Sequence, residues 1–424
     1  LLKEIEMRRD TKFNISKGID TQLVIIYLVL VIIGWLAIYS SSYNPEIHST
    51  NIFDLSKNYG KQLIWIASAF VLAIVVLSFE SRHYMHFAYH IYIFFLLIML
   101  IVVFVGTEIS GAKAWIKIGN YSIQPTEFAK FATALALAKF FNEGKTQSQK
   151  RYMWLTAFGM IFIPIIIIIF QKDAGSALVF LSFIILFYRE GLSGNIFLIA
   201  VTAFILFLLT FMLNELYAIA ISTSIFLIFW IINRKKKKKL IRNAIIYGCA
   251  LLFIFSIDII YDKTLQPHQK MRIDTILGKT SDPQGADFNL NQSKIAIGSG
   301  GLWGKGYLNG TQTKLNFVPE QSTDFIFCSI GEEFGFLGSL VILSLFTALI
   351  YRILFLSEQH RNPFVRYYGY GVASIIFFHF IINIGMTIGL VPIIGIPLPF
   401  LSYGGSSLWG FTILLFIFIR LNNS

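Results

Sequence analysis

Stretches of about twenty consecutive apolar residues alternate with short polar stretches along the chain, from near its start to its end. A helix rises about 1.5 Å per residue, so each such stretch is long enough to cross a hydrocarbon layer roughly 30 Å thick. The pattern predicts about twelve spanning helices, at residues 22–42, 60–79, 88–106, 124–142, 153–171, 174–188, 194–213, 215–233, 241–261, 334–356, 367–391 and 400–420. The sixth is short, and only Asn214-Glu215 breaks the seventh from the eighth. The fold class expected is all-α: a polytopic transmembrane helix bundle in which residues 1–424 make a single integral membrane domain.

Composition excludes the alternative of a water-soluble fold. Of 424 residues, 56% are hydrophobic and 14% charged, with a mean hydropathy of +0.68, so the solvent for most of the surface is lipid. The first apolar run follows Lys3, Arg8, Arg9, Lys12 and Lys17 but is too long for a signal-peptide core and lacks an A-x-A-like cleavage site, so it reads as a retained helix. Basic residues cluster in the short connections, and this decides sidedness. With the amino terminus in the cytoplasm, Lys145, Lys150 and Arg151, the run Arg234 to Lys239, and Arg361 with Arg366 all fall inside, as does the carboxyl terminus. Residues 43–59, 106–123, 392–399 and a large extracytoplasmic loop at 262–323, between spans nine and ten, then fall outside. The net charge of +12 is thereby explained by topology, and no nucleic-acid partner is expected; membrane lipids are. The 234–239 run reads as an inside anchor, with an anionic-lipid patch as its alternative. Cys249 and Cys328 stand in apolar surroundings and are expected to be small buried side chains.

Candidate chemistry concentrates in the outer segments. The long loop carries Arg272, then Gln292-Ser293-Lys294, then glycines at 298, 300, 301, 304 and 306 around Lys305. Glycines let a backbone approach a ligand closely and the cations suit a phosphate; a plain glycine-rich connector is the competing reading. No GxxxxGK[ST] pattern is present, so this is not a nucleotide P-loop. Asp324 stands where the loop meets an apolar helix starting at Phe325. At that depth it is placed to act on a lipid-linked substrate as a general base or a cation ligand, or else to cap the helix. Glu127 and Lys130, three apart inside a span, share a face and are either a functional site or a structural ion pair. Glu332 and Glu333 follow a helix start where the dipole favours acids, and Asp173 lies in a short outer turn. The stretch from Gly385 to Phe400 holds three prolines and several glycines; it cannot be one regular helix and reads as a cavity wall or re-entrant segment.

At these residues the chain resembles the SEDS family (shape, elongation, division and sporulation), and within it the RodA form. The strings Ile297-Gly298-Ser299-Gly300-Gly301-Leu302, Gly304-Lys305-Gly306, Gly310-Thr311-Gln312 and Thr323-Asp324-Phe325-Ile326-Phe327 carry the likeness. So do Gln124-Pro125-Thr126-Glu127-Phe128-Ala129-Lys130 and Pro397 to Ser406. The resemblance implies a peptidoglycan glycosyltransferase that polymerises lipid II outside the cytoplasmic (inner) membrane, in cell elongation and shape maintenance, beside a class B penicillin-binding protein that crosslinks the strands. It implies Asp324 as the family's essential acid, Glu127 and Lys130 as its intramembrane charged pair, Trp115 as its outer-loop tryptophan and Asp173 as its acid after the fifth span. Lys294, Lys305, Arg272, Trp115 and Ser406 are the substrate-binding candidates. A divalent cation, Mg or Mn, held by Asp324 is the one cofactor expected. A lipid II flippase, or a scaffold for the transpeptidase, are the alternatives.

Three departures from the family pattern stand out. Ser122 replaces an arginine two residues before Gln124-Pro125, so a phosphate contact there falls to Lys117 or Lys113. Ser322 replaces a histidine before Thr323-Asp324-Phe325. Residues 194–261 hold two more spans than usual; an even excess leaves the sidedness of everything downstream unchanged.

Overall fold

The computed structural model describes residues 18–43, 52–109, 111–119, 121–144, 150–194, 215–233, 237–264, 286–314, 317–391 and 393–424, with isolated positions at 198, 199, 202, 206 and 210. The described residues begin with three helices: α1 (Thr21–Ser41), α2 (Asn58–Ser78) and α3 (Ser81–Val105). Asp20 caps α1, accepting from the Leu23 amide at 2.9 Å, and also binds the Arg352 guanidinium at 2.5 Å. That one carboxylate therefore both starts α1 and ties it to a helix more than three hundred residues away.

The next segment departs from an all-α chain. Residues expected as an outer loop form a small antiparallel meander of β1 (Thr107–Ile109), β2 (Ala112–Ile118) and β3 (Tyr121–Ile123). Ile118 pairs with Tyr121 across a two-residue connection, and Gly119 supplies the positive φ of 61° that such hairpins demand. Pro125 then opens α4 (Pro125–Glu143) at a position where a missing N–H costs nothing.

Helix α5 (Lys150–Phe170) is followed by α6 (Ala174–Phe180), a 3-10 turn at Leu181–Phe183 and α7 (Ile184–Arg189). Then come α8 (Glu215–Asn233) and α9 (Lys237–Thr264) in the region of extra spans, and α10 (Ala286–Ser299) and α11 (Thr311–Lys314) within what the sequence offered only as loop. The bundle closes with α12 (Ile326–Gln359), α13 (Pro363–Thr387) and α14 (Gly405–Asn422). Between α13 and α14 the chain is irregular, as its prolines require, with positive φ at Gly389, Gly395, Phe400 and Gly404. Helix α14 accordingly starts at Gly405, later than the expected span at 400–420, and α12 starts at Ile326, earlier than 334.

Among the described residues seven helices are long and apolar enough to cross a membrane: α1, α2, α3, residues 153–170 of α5, α12, α13 and α14. The chain is a polytopic helical membrane protein. The expected span at 194–213 lies largely outside the described residues. Helix α13 is 72% and α14 67% buried over its apolar window, against 22% for α3. The first two are the centre of the bundle and α3 its rim. Around them Tyr27, Phe183, Tyr368, Phe411 and Phe418 are fully buried, whereas α2, α3 and α5 turn residues such as Ile74, Phe104 and Ile169 outward, as a lipid-facing surface requires. Cys328 is buried as expected, but Cys249 is exposed; it sits on the outer side of α9, whose main packing partner is α8.

Candidate active site

Asp324 is not the cap of α12. The helix begins at Ile326, its cap residue is Phe325, and no side chain caps it. The half-buried Asp324 instead lies on a turn stitched to the irregular 388–404 segment. The Asn383 Nδ2 group donates to the Asp324 carbonyl at 2.8 Å and to the Ile396 carbonyl at 2.7 Å. Ser402 Oγ donates to the Thr323 carbonyl at 2.6 Å and accepts from the Leu398 amide at 2.8 Å, and the Tyr403 amide donates to the Ser322 carbonyl at 2.8 Å. The carboxylate oxygen Oδ2 faces Gly395, where a β-carbon would stand only 3.3 Å away. Lys294, exposed on α10, reaches the same segment: a β-carbon on Gly389 would meet its Nζ at 2.7 Å. Asp324 and Lys294, thirty positions apart, thus converge on one broken stretch of backbone.

Glu127 and Lys130 form a buried ion pair at 2.8 Å, with side chains 4% and 3% exposed. The ammonium does not stop there. It lies 3.0 Å from His379 Nε2 and 4.9 Å from the centre of the Phe411 ring, and His379 Nδ1 lies 2.9 Å from the Pro397 carbonyl. A lysine ammonium has only donors, so the network assigns Nε2 as acceptor and places the imidazole proton on Nδ1, donated to Pro397. Glu127 Oε2 has no hydrogen-bond partner.

The glycine-rich stretch approaches its own helix. Gly335, at φ 63°, breaks α12, and a β-carbon there would collide with the Gly304 amide nitrogen. The Lys305 and Gly306 amides donate to the Glu332 and Glu333 carbonyls, and the Phe336 amide to the Gly301 carbonyl. Here Gly300, Gly304 and Gly335 serve close backbone packing where a ligand cradle was one expectation, while a β-carbon on Gly298 or Gly301 would meet open space. Lys305 is committed likewise: its Nζ is 2.7 Å from Glu332 and 2.6 Å from Thr311 Oγ1. Glu332, fully buried, also accepts from the amides of Thr311, Gln312 and Thr313. It anchors a loop, a role beyond favouring a helix dipole. Glu333 is bonded to the Ser40 hydroxyl. Burial, with Glu333 beside it, pushes the Tyr307 hydroxyl up to about 12, and the hydroxyl donates to the Leu36 carbonyl at 3.4 Å.

On the sheet side, Asp173 caps α6, accepting from the Ser176 amide at 3.0 Å, and holds Gln124 Nε2 at 2.7 Å. Ser406 is buried; its hydroxyl accepts from the Gln124 amide and donates to the Ser122 carbonyl. Its bonds therefore join the β3–α4 corner to α14. Trp115 is half-buried on β2, opposite Thr107, which bonds its carbonyl. Lys117 pairs directly with Ser122 across the sheet and is exposed, so it puts a cation beside the position where arginine is missing. Lys113 Nζ instead binds the Phe104 carbonyl. Arg272 lies outside the described residues. A polar cavity of about 420 Å³ opens beside the Asp324 turn, lined by Ser42, Lys57, Asn58, Glu320 and Ser322 among others; Asn58 reaches the Ser322 hydroxyl, where the family's histidine would be. No group of three or more His, Cys, Asp or Glu side chains converges among the described residues. A divalent cation at Asp324 would take one protein carboxylate and fill its shell from water and phosphate, as Mg²⁺ accepts.

Sequence reasoning passed over His379, Asn383 and Ser402. His379 and Asn383 are polar residues one turn apart within an apolar helix, which is the signal that marks functional groups in a span.

A family model described as cell cycle protein (FtsW, RodA, SpoVE) matches residues 20–237 and 218–424. The peptidoglycan glycosyltransferase RodA of Treponema pallidum (strain Nichols) is 32% identical over 423 residues, covering 92% of this chain and 94% of that protein. The peptidoglycan glycosyltransferase MrdB of Escherichia coli (strain K12) is 32% identical over 391 residues, covering 92% and 90%. A solved structure described as the structural coordination of polymerization and crosslinking by a peptidoglycan synthase complex superposes with a TM-score of 0.70 at 22% identity, covering 96% of this chain and 98% of that one. At that identity it speaks for the fold, and the fold and the sequence agree. The chain belongs to the FtsW, RodA and SpoVE family of cell cycle proteins.

Proposed function

We infer that this protein is a peptidoglycan glycosyltransferase that polymerises lipid II on the outer face of the bacterial cytoplasmic membrane during cell elongation and shape maintenance. The relatives bearing that activity in their names match nearly the whole chain. The observation that carries the reading to a residue is the Asp324 turn: a half-buried carboxylate at the head of a membrane helix, facing a glycine and two residues from a polar cavity lined by Ser322. In this reading the bundle has about twelve spans, both termini are cytoplasmic, and the 262–323 loop lies outside.

Asp324 accepts the proton of the acceptor sugar 4-hydroxyl as that oxygen attacks the anomeric carbon of the growing donor. One C–O bond forms, the bond to undecaprenyl pyrophosphate breaks, and the pyrophosphate carries away the electron pair. Among the described residues Lys294, beside the same segment, and Lys117, on the sheet, are exposed cations placed to meet phosphate; Lys305 contributes by fixing the loop. Bound at Asp324, Mg²⁺ or Mn²⁺ would supply further charge compensation for the pyrophosphate. A class B penicillin-binding protein is the expected partner for crosslinking.

The test is glycan-strand synthesis from purified lipid II by the reconstituted protein with a cognate transpeptidase that lacks its own glycosyltransferase domain. Native protein should make strands, and Asp324→Asn, equal in melting temperature, should lose on the order of 10²-fold or more of the rate. Strands from both would remove Asp324 from the mechanism. Strands from neither would put the flippase and scaffold readings ahead.

A further inference from the structure

We propose that Asn383 and His379 are positioning residues for Asp324: Asn383 bridges the carboxylate's own backbone to the segment facing it, and His379 ties that segment to the buried Glu127–Lys130 pair. The proposal rests on the role of Asp324 given above. Residues 379 and 383 lie one turn apart on a single face of α13. Asn383 spends its two amide hydrogens on two different pieces of chain: the carbonyl of Asp324 itself and that of Ile396, the neighbour of the glycine facing Asp324 Oδ2. One side chain thereby fixes the separation between the carboxylate and the wall opposite it. The Asn383 Oδ1 atom is buried without a partner. The amide is therefore oriented by its two donors, and the bridge persists at the expense of an unsatisfied acceptor.

One turn earlier, His379 holds the next carbonyl along, that of Pro397, and is itself held by Lys130. The series runs Glu127 carboxylate, Lys130 ammonium, His379 imidazole, Pro397 carbonyl, so an ion pair on α4 ends on the segment that walls the site. Glu127 and Lys130 need only each other to be neutralised. The contact beyond them falls on the Pro397 carbonyl, and the separate Asn383 contact falls on the adjacent Ile396 carbonyl, both within two residues of Gly395. In a dry interior a carbonyl that loses its donor is left unsatisfied at a real cost, so the segment does not drift while the series is intact. Displacing a catalytic group by about 1 Å costs on the order of 10² in rate, which is the scale of effect expected.

The test compares kcat and KM for lipid II in native protein, Asn383→Leu, His379→Leu, His379→Gln and Asp324→Asn, each reconstituted with the partner. Glutamine retains one donor and one acceptor and can replace the imidazole in the series; leucine cannot. Both leucine variants should lose about 10-fold to 10²-fold in kcat with KM within about twofold of native, with a melting temperature lowered by no more than about a few degrees. His379→Gln should recover most of the loss. Native kcat in the leucine variants, a fall in kcat matched by a rise in KM and a melting temperature lowered further than that, or a glutamine variant as slow as the leucine one, would each overturn the proposal. An active Asp324→Asn would instead sink the role of the carboxylate, whatever the other variants do.

Discussion

Gly395 combines two constraints that at most positions occur separately. Its φ of 75° is one an L side chain adopts at a cost of about 1 to 2 kcal/mol, and a β-carbon there would press on the Asp324 carboxylate at 3.3 Å. Gly119 shares the first constraint, with φ 61°, but has open space around it. Gly395→Ala and Gly119→Ala are therefore expected to lower the melting temperature comparably, while only Gly395→Ala slows strand synthesis; equal rates in the two variants would show that the carboxylate tolerates crowding. The sequence offered Asp324 as an acid at the junction of loop and helix, but left capping open. The answer depended on a helix beginning one residue later, a boundary that local composition does not resolve. His379 and Asn383 escaped notice because, Lys130 apart, their partners are main-chain carbonyls more than a dozen residues away, and a carbonyl has no letter in a sequence.

Helix α12 shows the same limit on a larger element. Glu332 and Glu333 near a helix start have a sufficient local explanation in the dipole, yet Glu332 is the point on which the 305–313 loop closes, through Lys305 and three amides. Removing a buried, paired charge leaves its partners unsatisfied and costs about 3 to 5 kcal/mol. Glu332→Ala is thus expected to lower the melting temperature by several degrees and to open the 300–314 stretch to protease, before any loss that arises at Asp324; an unchanged digestion pattern would mean the glycine packing at Gly335 holds the loop alone. The β-meander, by contrast, was legible and missed. Gly119-Asn120 between Ala112–Ile118 and Tyr121–Ile123 is a hairpin signal, overlooked because a seventeen-residue gap between spans reads first as loop.

For the whole molecule, lipid makes the spans conspicuous because every backbone polar group within it must be satisfied inside a helix. Which helices sit at the centre is another matter: α13 and α14 are less hydropathic than α3, yet far more buried, since a lipid-facing helix must be apolar all round and an interior one need not. The same reasoning bears on the extra helices α8 and α9. They pack chiefly on each other, through a bond between the Thr223 and Tyr247 hydroxyls at 2.8 Å and a stack of Phe226 on Tyr247 at 4.6 Å, with a small cluster of Leu206, Ala218 and Ile254. Among the described residues neither helix supplies a side chain to the Asp324 turn or to the Glu127–Lys130–His379 series. A pair of spans can be removed without reversing the orientation of the later helices, so a chain lacking residues 215–264 should insert with its carboxyl terminus on the same side. Labelling of a Ser424→Cys variant with a membrane-impermeant maleimide, before and after permeabilisation, reads that directly. Sites far apart act independently to a first approximation, so the shortened chain should keep strand synthesis within about threefold of native. Correct sidedness with activity lost would assign α8 and α9 a contact with the partner protein, because the catalytic bundle would then be present and oriented but working alone.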